Sequence, residues 1–197
     1  ITGAFDAGIA WFAKTLQGRE FLLIIIVTFL IALGGTTFGL AEETIAFYPI
    51  LIPVFLAARY DAMVALASIY LGSSIGTMFS TTNPFSVIIA SDAAGINWTT
   101  GLTARVILFV LGTSICIIYI LRYAQRVKND ATKSIIFSQK EEIETHFGNT
   151  TNASVVLNNR LRIILLIFTL CFVVMIIGVS RLGWWFEEMT AIFLVGA

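Results

Sequence analysis

The chain has 197 residues, 58% hydrophobic and 12% charged, with 12 Lys/Arg against 12 Asp/Glu and a mean hydropathy of +0.92. A soluble domain carries about 25% charged residues, so a water-facing globular surface is excluded and an all-α integral membrane protein is indicated. Zero net charge removes any electrostatic case for a nucleic-acid partner. Cys116 and Cys171 lie in apolar runs, where they read as small hydrophobes rather than a disulfide or metal pair.

Phe5, Ile9, Phe12 and Leu16 recur at helical spacing and predict an amphipathic interfacial helix over 1–19. Residues 20–57 hold two apolar arms, Phe21–Leu33 and Ile45–Leu56. Each is shorter than the roughly 20 residues of a full crossing. The glycine-, threonine- and glutamate-rich stretch Gly34–Thr44 separates them, so a re-entrant hairpin turning at mid-membrane is expected.

Residues 60–125 predict a broken helix over 60–91 and a transmembrane helix over 101–125. Asn83-Pro84 removes a backbone donor and pushes Asn83 out of the α region, so the helix from Asp61 should end near Ser80. A short helix should resume with Pro84 in its first turn and Thr82 or Asn83 as its cap. The polar stretch 126–160 reads as a cytoplasmic loop, partly helical, and 161–180 as another transmembrane helix.

The apolar run 189–197 is the start of a truncated span. With no initiating Met at Ile1, the chain is expected to be a piece of a longer protein. Ten of the 12 Lys/Arg fall on one side of this layout, with Arg105 and Arg181 opposite. The positive-inside rule makes the rich side cytoplasmic, in the inner membrane of a cell.

The two polar interruptions are the candidate solute site. The first offers Thr36, Thr37, Glu42, Glu43 and Thr44, and the second Ser80, Thr81, Thr82, Asn83 and Pro84. Irregular backbone at membrane depth is tolerated only where protein or water covers it, and transporters use such breaks to surround a solute. Hydroxyls and an amide near Thr82 and Asn83 suit Na⁺ or a carboxylate, and the helix start at Pro84 suits the same carboxylate. No cofactor is expected beyond Na⁺ or H⁺ as coupling ion.

A carboxylate at membrane depth costs about 2.5–3.5 kcal/mol on insertion scales and usually faces a pathway. Glu42 and Glu43 have no Lys or Arg in the neighbouring apolar runs, so a cationic solute, Na⁺ or H⁺ would supply the missing charge. The alternatives are a proline-kinked helix whose hydroxyls serve packing, and glutamates placed at an interface. No His-Glu-x-x-His pattern occurs, and no Ser/Lys pairing in the spans offers a nucleophile, so an enzyme is not expected.

The stretch from Gly34 to Pro49, with Glu42-Glu43-Thr44 at its centre, resembles the signature of the YfcC-like branch of the C4-dicarboxylate anaerobic carrier family. Ser80–Phe85 with Ile89–Gly95 is similar to its second motif. The resemblance covers nearly the whole chain. It implies the ion transporter superfamily, built from two inverted repeats that each carry a re-entrant hairpin and a broken helix. This chain would then be the first repeat and the start of the second, with Glu43-Thr44 and Thr82-Asn83-Pro84 at solute-site positions. The missing second repeat becomes its partner, and a homodimer is admitted by analogy. Some relatives look like basic amino acid antiporters exchanging arginine and ornithine, whereas the family name indicates dicarboxylates. Two glutamates favour the cationic solute; a dicarboxylate carrier is the alternative, and a non-transporting structural membrane subunit the second.

Overall fold

A computed structural model describes residues 19–148 and 159–178, with single positions between 182 and 195. The helix expected over 1–19 lies, apart from Arg19, outside the described residues, as do 149–158 of the loop and much of 189–197. Among the described residues every regular element is helical. The chain divides into two compact units, one carrying the elements from Phe21 to Gly148 and the other the helix Asn159–Ile177.

In the first unit, α1 spans Phe21–Phe38. Gly34 to Thr37, expected in the turn between the arms, are therefore helical. The reason is the neighbouring helix. A Cβ on Gly35 would lie 2.8 Å from the Ser73 carbonyl oxygen, and one on Gly76 would strike the Ala32 carbonyl. Two backbones in such close approach gain dispersion contacts, which offset the roughly 1 kcal/mol that each glycine costs a helix.

The helix stops where Gly39 turns left-handed at φ 84°. Gly39 N–H donates to the Gly35 carbonyl at 3.2 Å and Leu40 N–H to that of Gly34 at 3.3 Å, closing the last turn. A 3₁₀ segment, Glu42–Phe47, leads into α2, Tyr48–Ala57. The 18 residues of α1 extend about 27 Å and the 10 of α2 about 15 Å. The first arm thus exceeds its expected length by five residues (34–38) and is long and apolar enough to cross a membrane.

Asp61 opens α3, Ala62–Met78, by accepting from Val64 N–H at 2.9 Å. After the break come a π-helical turn, Pro84–Ile88, and α4, Ile89–Ala93. The 28 residues of α5, Leu102–Asn129, extend about 42 Å and also suffice for a crossing. Two 3₁₀ turns then precede α6, Lys140–Gly148, inside the loop expected at 126–160.

The helices are tied at one end. Lys128 lies 3.3 Å from the Glu20 carboxylate and 5.2 Å above the Tyr60 ring. Tyr123 and Ser134 hydroxyls donate to Asp61 Oδ2 at 2.7 and 2.5 Å. The chain therefore leaves this end at Glu20 and returns to it at Tyr60. Arg122, Arg126 and Lys128 make it the basic end of this unit.

Leu23, Ile24, Phe55, Val64, Ile69 and Ile120 form the core, while Ile107, Leu111, Ile115 and Ile118 of α5 remain exposed. Apolar surface of that extent needs hydrocarbon or further helices around it. In the second unit, α7 spans Asn159–Ile177. Beyond it, Trp184 N–H donates to the Gly178 carbonyl at 3.2 Å.

Candidate functional site

The end of α1 and the break after α3 form one junction. Gly76 and Gly35 let the two helices run close enough for backbone to meet backbone. Thr81 and Thr82 N–H donate to the Thr36 carbonyl at 2.9 and 3.2 Å. The Thr36 hydroxyl donates to the Phe79 carbonyl at 2.8 Å, that of Thr81 to the Thr36 carbonyl at 3.1 Å, and that of Thr82 to the Thr37 carbonyl at 3.0 Å. Groups left unsatisfied by ending α3 are thus paired across to α1, as a low-dielectric site requires.

Asn83 is the most committed of these residues and is 1% exposed. Its Oδ1 accepts from Phe85 and Ser86 N–H at 2.9 and 3.3 Å, capping the turn that Pro84 begins. Its Nδ2 donates to the Gly35 carbonyl at 3.4 Å and the Ser80 hydroxyl at 3.3 Å. Ser80 in turn bonds the Thr77 carbonyl at 2.5 Å and the Ser86 hydroxyl at 2.9 Å. Of the residues expected at the site, Thr36, Thr37, Ser80, Thr81, Thr82, Asn83 and Pro84 come together here.

The hairpin glutamates are arranged differently. Glu42 and Glu43 open the 3₁₀ segment and are exposed. Glu43 Oε2 accepts from Ala41 N–H at 3.2 Å, and the buried Thr44 hydroxyl donates to the Ala41 carbonyl at 2.6 Å. Among the described residues, no hydrogen bond joins either glutamate to the Ser80–Asn83 segment, and no ion pair neutralises it.

Two contributors escaped the sequence reading. Ser73, mid-helix in α3, donates to the Leu40 carbonyl just past the end of α1. Arg105, assigned only to the far side of the membrane, sends Nη1 to the Ser80 and Thr81 carbonyls at 3.5 and 3.2 Å. Its Nη2 donates to the Trp98 carbonyl and, at 3.2 Å, to that of Thr100. The available signal was a lone arginine in the first turns of an apolar helix.

Arg105 also measures depth. Eighteen residues of α5 separate it from Tyr123, about 27 Å. The junction therefore stands most of a hydrocarbon thickness from the basic end. Na⁺ does not fit these oxygens as arranged, because Asn83 Oδ1 accepts from two N–H groups and the Ser80 and Thr81 carbonyls face a guanidinium.

The pattern of the C4-dicarboxylate anaerobic carrier family matches residues 1–197. The chain belongs to this family. The family member is thus an integral membrane protein. It is 44% identical over 195 residues to an uncharacterized protein of Haemophilus influenzae. It is 29% identical over 192 residues to YfcC of Escherichia coli, named as a candidate basic amino acid antiporter. Each alignment covers 98% of this chain and 38% of the relative, so the chain spans well under half the length of the curated relatives it matches. No solved structure matches it.

Proposed function

We propose that the complete protein is a secondary transporter that exchanges basic amino acids such as arginine and ornithine across the cytoplasmic membrane. The observation that carries this reading is the pair Glu42 and Glu43, exposed beside the turn after α1 with no cationic partner among the described residues. An unpaired carboxylate in a membrane protein attracts a guanidinium or ammonium group. The name of the Escherichia coli relative points the same way.

In this reading Glu42 and Glu43 meet the solute. Thr36, Thr81, Thr82 and Asn83 hold the break that shapes the path. Phe21–Ala57 acts as a re-entrant hairpin, entering and leaving at the cytoplasmic end, and a second repeat supplies the opposing half-site. Exchange of one cationic amino acid for another balances charge without a coupling ion.

A C4-dicarboxylate carrier is the second reading, favoured by the family and by the positive charge of Arg105 at the break. Proteoliposomes holding the full-length protein separate the two. Saturable uptake of labelled arginine against internal ornithine is expected. Succinate flux indifferent to arginine would replace the first reading with the second.

A further inference from the structure

We infer that the Arg105 guanidinium is a built-in cation for the helix break, occupying the Ser80 and Thr81 carbonyl oxygens that would otherwise attract a mobile monovalent cation. Unwinding α3 after Met78 aims carbonyl oxygens of residues 80 and 81 away from any helical partner. Such oxygens, in a medium of low dielectric, are a cation site in waiting. Arg105 fills it from the side. One Nη donates to both break carbonyls, and the other Nη to the carbonyls of Trp98 and Thr100 in the turn before α5. All four N–H donors of the two terminal nitrogens are thereby used on backbone, and the planar fork suits that double grip better than an ammonium would.

The charge is unusual in two ways. It stands fourth in α5, where the positive pole of the helix opposes a cation. No ion pair with a carboxylate neutralises it among the described residues. Four carbonyl dipoles compensate both costs. A local rule broken with this specific a compensation marks a residue that the site depends on. Because the Nη donors are occupied, Arg105 is a positioning residue and does not hold the solute carboxylate in this arrangement. It fastens the break to the turn at Trp98–Thr100, and it removes the requirement for Na⁺ at this half-site.

The inference rests on the transporter reading only for its consequence in transport, so its test begins with binding. Full-length protein carrying Arg105→Ala is purified and its thermal unfolding followed with millimolar guanidinium chloride, sodium chloride or choline chloride. The variant is expected to unfold at a lower temperature than the wild type, and guanidinium or Na⁺, but not choline, restores part of the loss. The wild type, its site already filled, gains nothing. A variant as stable as the wild type, or one that guanidinium and Na⁺ stabilise no more than choline does, would overturn the inference.

Should Arg105→Ala fail to fold, Arg105→Lys and Arg105→Gln decide the matter, since Lys keeps the charge and Gln only a planar donor. Lys retaining more stability than Gln is expected, and equal loss in both overturns the role of charge. In proteoliposomes the Ala variant should lose about tenfold in exchange rate, matching one charged hydrogen-bonding group, with recovery by external guanidinium. Absence of amino acid exchange in the wild type defeats the amino acid antiporter reading and leaves the unfolding result standing by itself.

Discussion

Asn83 lies directly against Gly39: a Cβ on Gly39 would sit 2.8 Å from Asn83 Nδ2 and 3.0 Å from its Oδ1. The glycine that ends α1 and the asparagine that restarts the chain after α3 are therefore two halves of one joint. Gly39→Ala adds a left-handed backbone penalty at φ 84° to that collision. We expect a loss of about 1–3 kcal/mol, the range for Ala where φ is positive together with crowding. A lowered unfolding temperature of the full-length protein is the measurement, and an unchanged one would refute the joint.

Asn83→Ala should be costlier to function than to fold. It removes the cap on Phe85 and Ser86 N–H and leaves the buried Gly35 carbonyl and Ser80 hydroxyl short of a donor. The expected destabilisation is about 1–3 kcal/mol. Asn83→Asp keeps the cap but turns an oxygen toward the Gly35 carbonyl, so it should not rescue. Comparing both variants by unfolding and exchange checks the assignment; equal behaviour of Asp and the native Asn contradicts it.

Gly76→Leu tests the approach of α1 and α3. Any side chain there meets the Ala32 carbonyl, so the helices must separate and the Thr36–Thr81 bonds lengthen or break. Overpacking of this kind costs about 1–3 kcal/mol or more. Reduced yield of monodisperse protein on size exclusion is expected. The same substitution at Gly101, where a Cβ meets nothing within 4 Å, is strained only by its φ of 74° and should be milder.

Asp61 joins three elements at the basic end: it caps Val64 N–H and accepts from Tyr123 and Ser134. Asp61→Ala should cost about 1–3 kcal/mol. It should also release the segment after α5, seen as faster hydrogen exchange over residues 131–140. Unaltered exchange in that segment would show that the Asp61–Ser134 contact does not hold it.

Glu43→Gln should abolish exchange of a cationic solute while leaving expression and unfolding nearly as they were, because the carboxylate is exposed and its one bond, from Ala41 N–H, survives in the amide oxygen. Unchanged kinetics in this variant would remove Glu43 from the solute path. Glu42→Gln, tested alongside, separates the two carboxylates.

Rules that act over a few residues could be read directly. Asn83-Pro84 ends one helix and starts another because of steric and donor effects confined to neighbouring residues, and α3 does stop at Met78 with Asn83 as the following cap. Gly34-Gly35 obeys the opposite logic. A glycine pair weakens an isolated helix, and only the nearness of Ser73 and Gly76 to Gly35 makes it a place where α1 packs closely.

Composition and residue order alone were enough for the membrane class and the two polar interruptions, since lipid selects long apolar runs and polar breaks stand out against them. The folded chain decided how those interruptions combine. Thr36 meets Thr81 across 45 positions of sequence, and Arg105 reaches Ser80 and Thr81 across 25 and 24. Such pairings follow from burial, which forces every carbonyl exposed by a broken helix to find a donor, and the donor is set by which helices pack side by side rather than by sequence neighbours.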